Sequence, residues 1–247
     1  MLLLHAGVTD KRSWAPLVDH LGGRFRTIAF DRRGFGESSW EAEPHAVVDD
    51  CVAVLDAAGV EAAIVVGASN GGRRALDLAL AHPGRVRGLM LIGSGASGAP
   101  EVDESILPAS ARDLVAAYEA ADAGDDLDHL NEIEAWAWLD GWTAPEGRVT
   151  GDVRDLFLDM NGIALRAGPV GDEVAPTPAW DRLGEIAVPT LVLCGEFDDV
   201  SLPASHHIAA TIPGARFELL PGTAHLPHLE GDPRTLELIA EHLDAIG

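Results

Sequence analysis

The chain has 247 residues and 26.0 kDa, enough to bury a full core in one or two domains without disulfide staples. Its 17 cationic residues face 40 acidic ones, a formal charge of −23. That field repels phosphate backbones and anionic bilayers, so neither nucleic acid nor a membrane is an expected partner. No apolar run approaches the roughly 20 residues that span a bilayer. Met1-Leu2-Leu3-Leu4 lacks a basic lead and meets Asp10 too soon for a secretory leader. Cys51 and Cys194 both lie in apolar runs and read as buried thiols of a reducing compartment, so the expected location is cytoplasmic.

In chain order, apolar β-rich runs fall at residues 2–5, 26–30, 62–67, 88–92, 190–195 and 215–220. Their near-continuous apolar character predicts strands of a parallel sheet buried on both faces. Apolar residues at helical spacing lie between them, at 14–21, 44–58, 71–81, 203–212 and 235–246. Alternating strand and helix predicts an α/β fold with helices on both faces. One stretch breaks the alternation. Residues 97–180 contain no strand pattern but three helical ones, at 107–121, 127–139 and 152–167. They also hold Trp136, Trp138, Trp142 and Trp180, four of the six tryptophans. The expected division is a core of 1–96 and 181–247 and a helical lid of 97–180. Such a lid covers the C-terminal edge of the sheet, where open α/β sheets bind ligands.

The strongest local signal is Gly67-Ala68-Ser69-Asn70-Gly71, between a predicted strand and a predicted helix. A serine can be thrust clear of the sheet there only if its neighbours are small, and the helix start favours negative charge. A nucleophilic serine needs a base, and the base an orienting acid. The strand at 190–195 runs into Glu196-Phe197-Asp198-Asp199, and the strand at 215–220 into Pro221-Gly222-Thr223-Ala224-His225. The candidates are Ser69, Asp198 and His225, each beyond its own strand. Glu196 and Asp199 rival the acid, and His228 rivals the base. The pairs His225/His228 and His206/His207 lack the acid-flanked helical pattern of a metal site. The opening strand ends in His5-Ala6-Gly7, a turn able to offer a backbone N–H to an oxyanion.

These motifs resemble the α/β-hydrolase fold superfamily over nearly the whole chain. His5-Ala6-Gly7 with Trp14 is similar to the family's HG…W opening, and Asp31-Arg32-Arg33-Gly34-Phe35-Gly36-Glu37-Ser38 to its D-x-R-G-x-G-x-S loop. Gly67–Gly71 resembles its nucleophile elbow, 195–198 its G-x-x-D loop and 222–225 its G-x-x-H loop. The resemblance implies Ser69 as nucleophile, Asp198 as acid and His225 as base, with the backbone N–H groups of Gly7 and Asn70 as oxyanion hole. It leans towards the enol-lactonase and small carboxylesterase branch with a helical cap. Ala6 stands where the family usually has glycine, which leaves Gly7 or Val8 as first donor. Family members also carry two strands before this opening, which implies about six parallel strands here, with 26–30 at an edge. That edge is expected to be paired or covered in a homodimer, or else to leave the chain less stable than a version extended upstream by two strands.

Serine chemistry without a cofactor or metal is therefore expected, acting on a small apolar ester or lactone. A cofactor-free perhydrolase or C–C bond hydrolase would use the same triad. A ligand-binding or remnant member of the fold is the non-enzymatic alternative. Val8, Trp136, Trp138, Trp142 and Phe157 are candidates for the acyl pocket.

Overall fold

The computed structural model describes residues 1–101, 105 and 107–246. Residues 102–104 and 106, inside the expected lid, lie outside the described residues. All six predicted strands form: β1 (Leu2–Leu4), β2 (Ile28–Ala29), β3 (Ala63–Ala68), β4 (Val86–Ile92), β5 (Thr190–Gly195) and β6 (Arg216–Leu220). They make one parallel sheet in the order β2-β1-β3-β4-β5-β6. The run at 26–30 is an edge, as expected, but only two of its residues pair. Its partner β1 is three residues long, and beyond Ala29 the Arg32 N–H turns instead to His5 Nε2, at 3.1 Å.

The residues of each strand alternate between two cores because successive side chains leave opposite faces. Leu3, Val66, Met90, Leu191 and Leu193 enter one cluster. Leu2, Leu4, Val65, Leu89, Leu91 and Val192 enter the other. Helices α1 (Ala15–Leu21) and α8 (Pro233–Ile246) cover the first face with Leu17, Leu21, Ile239 and Leu243. The second is covered by α2 (Val47–Ala57), α3 (Asn70–Ala81) and α7 (Leu202–Thr211), through Cys51, Leu55, Leu76, Leu78 and Ile208. Both cysteines are free and buried. Burial pushes the Cys51 thiol up to about 12, so it packs as a small hydrophobe.

Between β4 and β5 the described elements are helical: α4 (Ala109–Asp122), α5 (Leu127–Glu134) and α6 (Asp152–Leu165). The sequence pattern placed one helix over 127–139. The structure ends the α-helical part at Glu134 and continues it as a wider π-helical turn, Ala135–Asp140, closed by Gly141 at φ 116°. Such widened turns are rare, tend to occur at functional sites, and shift the register of the side chains they carry. Here they carry Trp136 and Trp138. Among the described residues no helix is long and apolar enough to cross a membrane.

Candidate active site

The serine is placed by backbone sterics. β3 stops at Ala68 and α3 starts at Asn70, leaving a single residue for the turn. Ser69 takes φ 51° and ψ −118°, and it is the only non-glycine residue with positive φ among those described. Its N–H donates to the Ile92 carbonyl (2.8 Å) and its carbonyl accepts from Arg73 (3.0 Å), so both sides of the strained unit are pinned. The turn closes only because its flanks lack side chains. A Cβ on Gly71 would lie 2.0 Å from the Leu4 carbonyl oxygen, and one on Gly67 2.5 Å from that of Gly71.

Two and three strands away from β3, β5 and β6 supply the partners. Asp198 sits in the turn after β5, its carbonyl accepting from Ser201 and Leu202 at 3.1 Å each at the start of α7. His225 follows β6. Its Nδ1 lies 2.7 Å from Asp198 Oδ2, with Asp198 0% and His225 2% exposed. Nδ1–H donated to that carboxylate leaves Nε2 as a base. The pair sits beside the elbow: a Cβ on Gly93, the residue after β4, would be 2.7 Å from Asp198 Oδ2 and 2.8 Å from His225 Nδ1. β4 is also the strand to which Ser69 is tied. The rival acids are engaged elsewhere. Asp199 accepts from Thr143 Oγ1 (2.7 Å) and Glu196 from the Gly222 N–H (2.8 Å).

Two further side chains contact His225: Ser201, which sequence reasoning missed, and Trp138, one of its pocket candidates. Ser201 Oγ lies 3.3 Å from Nδ1, and no sequence motif marks it. The Trp138 ring packs against the imidazole at 4.7 Å between centroids, and Trp142 meets Trp138 edge-on at 5.0 Å. Tyr118 joins this cluster at 6.3 Å from each indole. Trp142 is fixed by its backbone N–H, which donates to the Phe197 carbonyl (2.9 Å). Trp136 is turned aside, its Nε1 donating to the Ala144 carbonyl (3.2 Å). Phe157 is fully buried in the core cluster with Trp14 and Met160, and Val8 packs half-buried at the margin of that cluster. Gly7 stands next to Asn70: a Cβ on it would come 3.8 Å from the Asn70 Cβ.

The remaining histidines fall into structural places. His206 packs on Phe217 and His207 stacks on Trp180 at 3.9 Å. His228 lies 4.3 Å from Trp14 between ring centroids, fully buried, with no partner among the described residues for either ring nitrogen. Among the described residues no three His, Cys, Asp or Glu side chains converge to hold a metal ion.

Burial first, then proximity to His225, pulls the His228 imidazole down from 6.5 to about 3. It stays neutral in the folded chain while the unfolded chain takes up a proton near 6.5. Its contribution to stability is therefore complete above pH 6.5 and is lost as pH falls, at about 1.4 kcal/mol per pH unit. His228→Leu should flatten the pH dependence of the unfolding free energy between pH 6.5 and 5 by about one proton. Urea unfolding at several pH values measures this, and equal slopes for the two proteins would contradict it.

Wide concavity and chemistry do not coincide here. A groove of about 700 Å³ runs beside the edge strand, walled by Phe30, Arg33, Trp40, Asp50 and Val54, without Ser69, Asp198 or His225. Of its cations, Arg33 is tied to Asp50 and Glu43 and Arg32 to backbone carbonyls, and the groove brings no nucleophile to a base. The serine turn and the His–Asp pair carry the chemical argument.

A parallel sheet whose strand ends present a serine turn, an acid and a histidine in that order defines an α/β hydrolase. The chain belongs to the alpha/beta hydrolase fold family, which matches residues 1–232. It is 30% identical over 91% of its length to a protein of Azorhizobium caulinodans named as a carbamate hydrolase, of which the match covers 83%. A second protein of that name, from Caulobacter sp., is 38% identical, but the match spans only 106 residues, 40% of that protein. Among solved structures, a thermophilic esterase from Thermogutta terrifontis is 26% identical with TM-score 0.76, over 99% of this chain and 89% of the esterase. A structure described as an N-acyl homoserine lactone degrading enzyme is 28% identical with TM-score 0.73, covering 97% of this chain and 91% of that one.

Proposed function

We propose that this hydrolase cleaves a carboxylic ester or lactone through an acyl-enzyme on Ser69. The observation that carries the reading is the buried 2.7 Å contact of His225 with Asp198, set beside the strained Ser69 turn. In the proposed sequence His225 Nε2 takes the Ser69 proton as Oγ attacks the carbonyl carbon. The negative charge that develops on the carbonyl oxygen is met by the N–H groups of Gly7 and Asn70. The tetrahedral species collapses, the alcohol leaves with the proton from His225, and water repeats the cycle to free the acid. Residues 97–180 act as the lid, with Trp138 and Trp142 as the apolar wall next to the base. Esterase and lactone-degrading relatives support the bond class. The relatives named for carbamate hydrolysis add a third acyl donor that the same chemistry accepts.

An aryl-ester series of rising acyl length, beside lactone and carbamate panels, tests the reading. Turnover of short apolar esters or lactones is expected, with kcat/KM falling once the acyl chain outgrows the Trp138–Trp142 wall. Turnover confined to carbamates would replace the bond class, and no turnover on any panel would refute it.

A further inference from the structure

A buried cation stands behind the two N–H groups to which the oxyanion is assigned. Arg32 leaves the loop that follows β2 and is 7% exposed. Its Nη2 donates to the carbonyl oxygens of His5 (3.2 Å) and Ala6 (3.0 Å). Its Nη1 donates to Asn70 Oδ1 (3.3 Å), and Arg74 Nε donates to the same oxygen at 3.2 Å. Among the described residues no carboxylate accepts a hydrogen bond from Arg32, and its Nε has no partner. Burial, then the charge of Arg74, pulls Arg32 down to about 10.

A buried guanidinium served only by neutral acceptors is costly to keep. A cavity filler would not require it, so its contacts must be the reason for it. In a trans peptide the C=O and the next N–H point to opposite sides. Holding the Ala6 carbonyl towards Arg32 therefore aims the Gly7 N–H away from it. Asn70 opens α3, so its N–H has no acceptor within the helix. Clamping its side chain between two guanidiniums fixes the residue that carries this N–H.

We propose that Arg32 is a positioning residue for the oxyanion hole. One guanidinium orients both donors, Gly7 through the carbonyls that precede it and Asn70 through its side chain, and lends positive potential from behind. Arg74 extends the brace: its Nη1 pairs with Glu173 at 2.7 Å, and residue 173 lies on the segment returning from α6, bridged to His45. The inference rests on the serine-hydrolase reading above.

The test compares the full chain with Arg32→Met, Arg32→Lys and Asn70→Leu. It reads the rate of Ser69 phosphonylation by a fluorophosphonate, kcat and KM on an aryl ester, and thermal melting. Phosphonylation joins Ser69 Oγ to phosphorus and expels fluoride, with the phosphoryl oxygen taking the place of the oxyanion. Arg32→Met should slow both labelling and kcat by about 10²-fold, the scale of one lost oxyanion donor, with KM held within about threefold. Arg32→Lys should recover little, since an ammonium cannot span two carbonyls and an amide. Asn70→Leu should cost about tenfold in the same readouts. Should Arg32→Met fail to fold, Asn70→Leu carries the test. A folded variant with labelling and kcat within twofold of the parent overturns the positioning role, as does a loss confined to KM. Those outcomes lie in the variants. A parent labelled at Ser69 but inert to esters and lactones overturns only the bond class, and a parent not labelled at Ser69 overturns both readings.

Discussion

Ser69→Gly should abolish hydrolysis while making the protein harder to unfold. Loss of the hydroxyl removes the proposed nucleophile, and turnover should fall by at least ~10³-fold, with no labelling by a fluorophosphonate. Stability should move the other way. Ser69 sits at φ 51° and ψ −118°, a conformation that costs side-chain-bearing residues on the order of 1–3 kcal/mol and glycine far less. Part of that gain is offset because glycine has more backbone freedom to lose on folding. Ser69→Ala separates the two effects: it keeps the Cβ, so it should be equally inactive but melt close to the parent. The strain persists because the sheet imposes it, through the Ser69 N–H on the Ile92 carbonyl and through glycine contacts too tight for a side chain. A Ser69→Gly protein that melts lower than Ser69→Ala would show that the turn is not strained in the folded state. Unchanged turnover in either would remove Ser69 as nucleophile.

The four inner strands were legible in the sequence because a strand buried on both faces is apolar at nearly every position, whereas the edge strand β6 is exposed at Arg216 and Leu219. Runs such as Ala62-Ala63-Ile64-Val65-Val66 and Leu191-Val192-Leu193 leave no other reading. The acid and base loops were legible for a related reason. Parallel strands bring their C-terminal ends together, so Asp198 and His225 meet although 27 residues apart in sequence. Contacts made by side chains from outside that repeating frame were not legible. Trp138 reaches His225 from a helix that widens into a π turn at Ala135, and no apolar spacing announces such a shift in register. The shortening of the edge strand to Ile28–Ala29 is likewise set by a long-range bond, from the Arg32 N–H to His5. Arg32 itself was visible as part of a loop motif, but its carbonyl partners belong to a turn 26–27 residues earlier.

Asp198→Asn should lower kcat by about 10⁴-fold, with little change in melting, while Asp199→Asn should stay within a few-fold of the parent. The carboxylate of Asp198 can only accept, so it dictates that His225 Nδ1 carries the proton and Nε2 the lone pair. An amide nitrogen turned towards Nδ1 would donate instead, force the proton to Nε2, and leave the base unable to take a proton from Ser69. Nothing nearby dictates the tautomer in its place. Ser201 Oγ, at 3.3 Å from Nδ1, is neutral and able to donate or accept, and the Cys194 sulfur lies 3.9 Å from Asp198 Oδ2, raised by burial and unable to supply charge. Asp198 Oδ1 is buried with no partner among the described residues, so the carboxylate has little hydrogen bonding to lose besides the histidine. Asp199 turns instead to Thr143, accepting from its Oγ1 at 2.7 Å, and an amide oxygen can take that bond unchanged. Steady-state kinetics of the two variants on one aryl ester decides between them. If Asp199→Asn is the crippling change and Asp198→Asn is mild, the acid has been assigned one residue too early and the 2.7 Å contact with His225 serves packing alone.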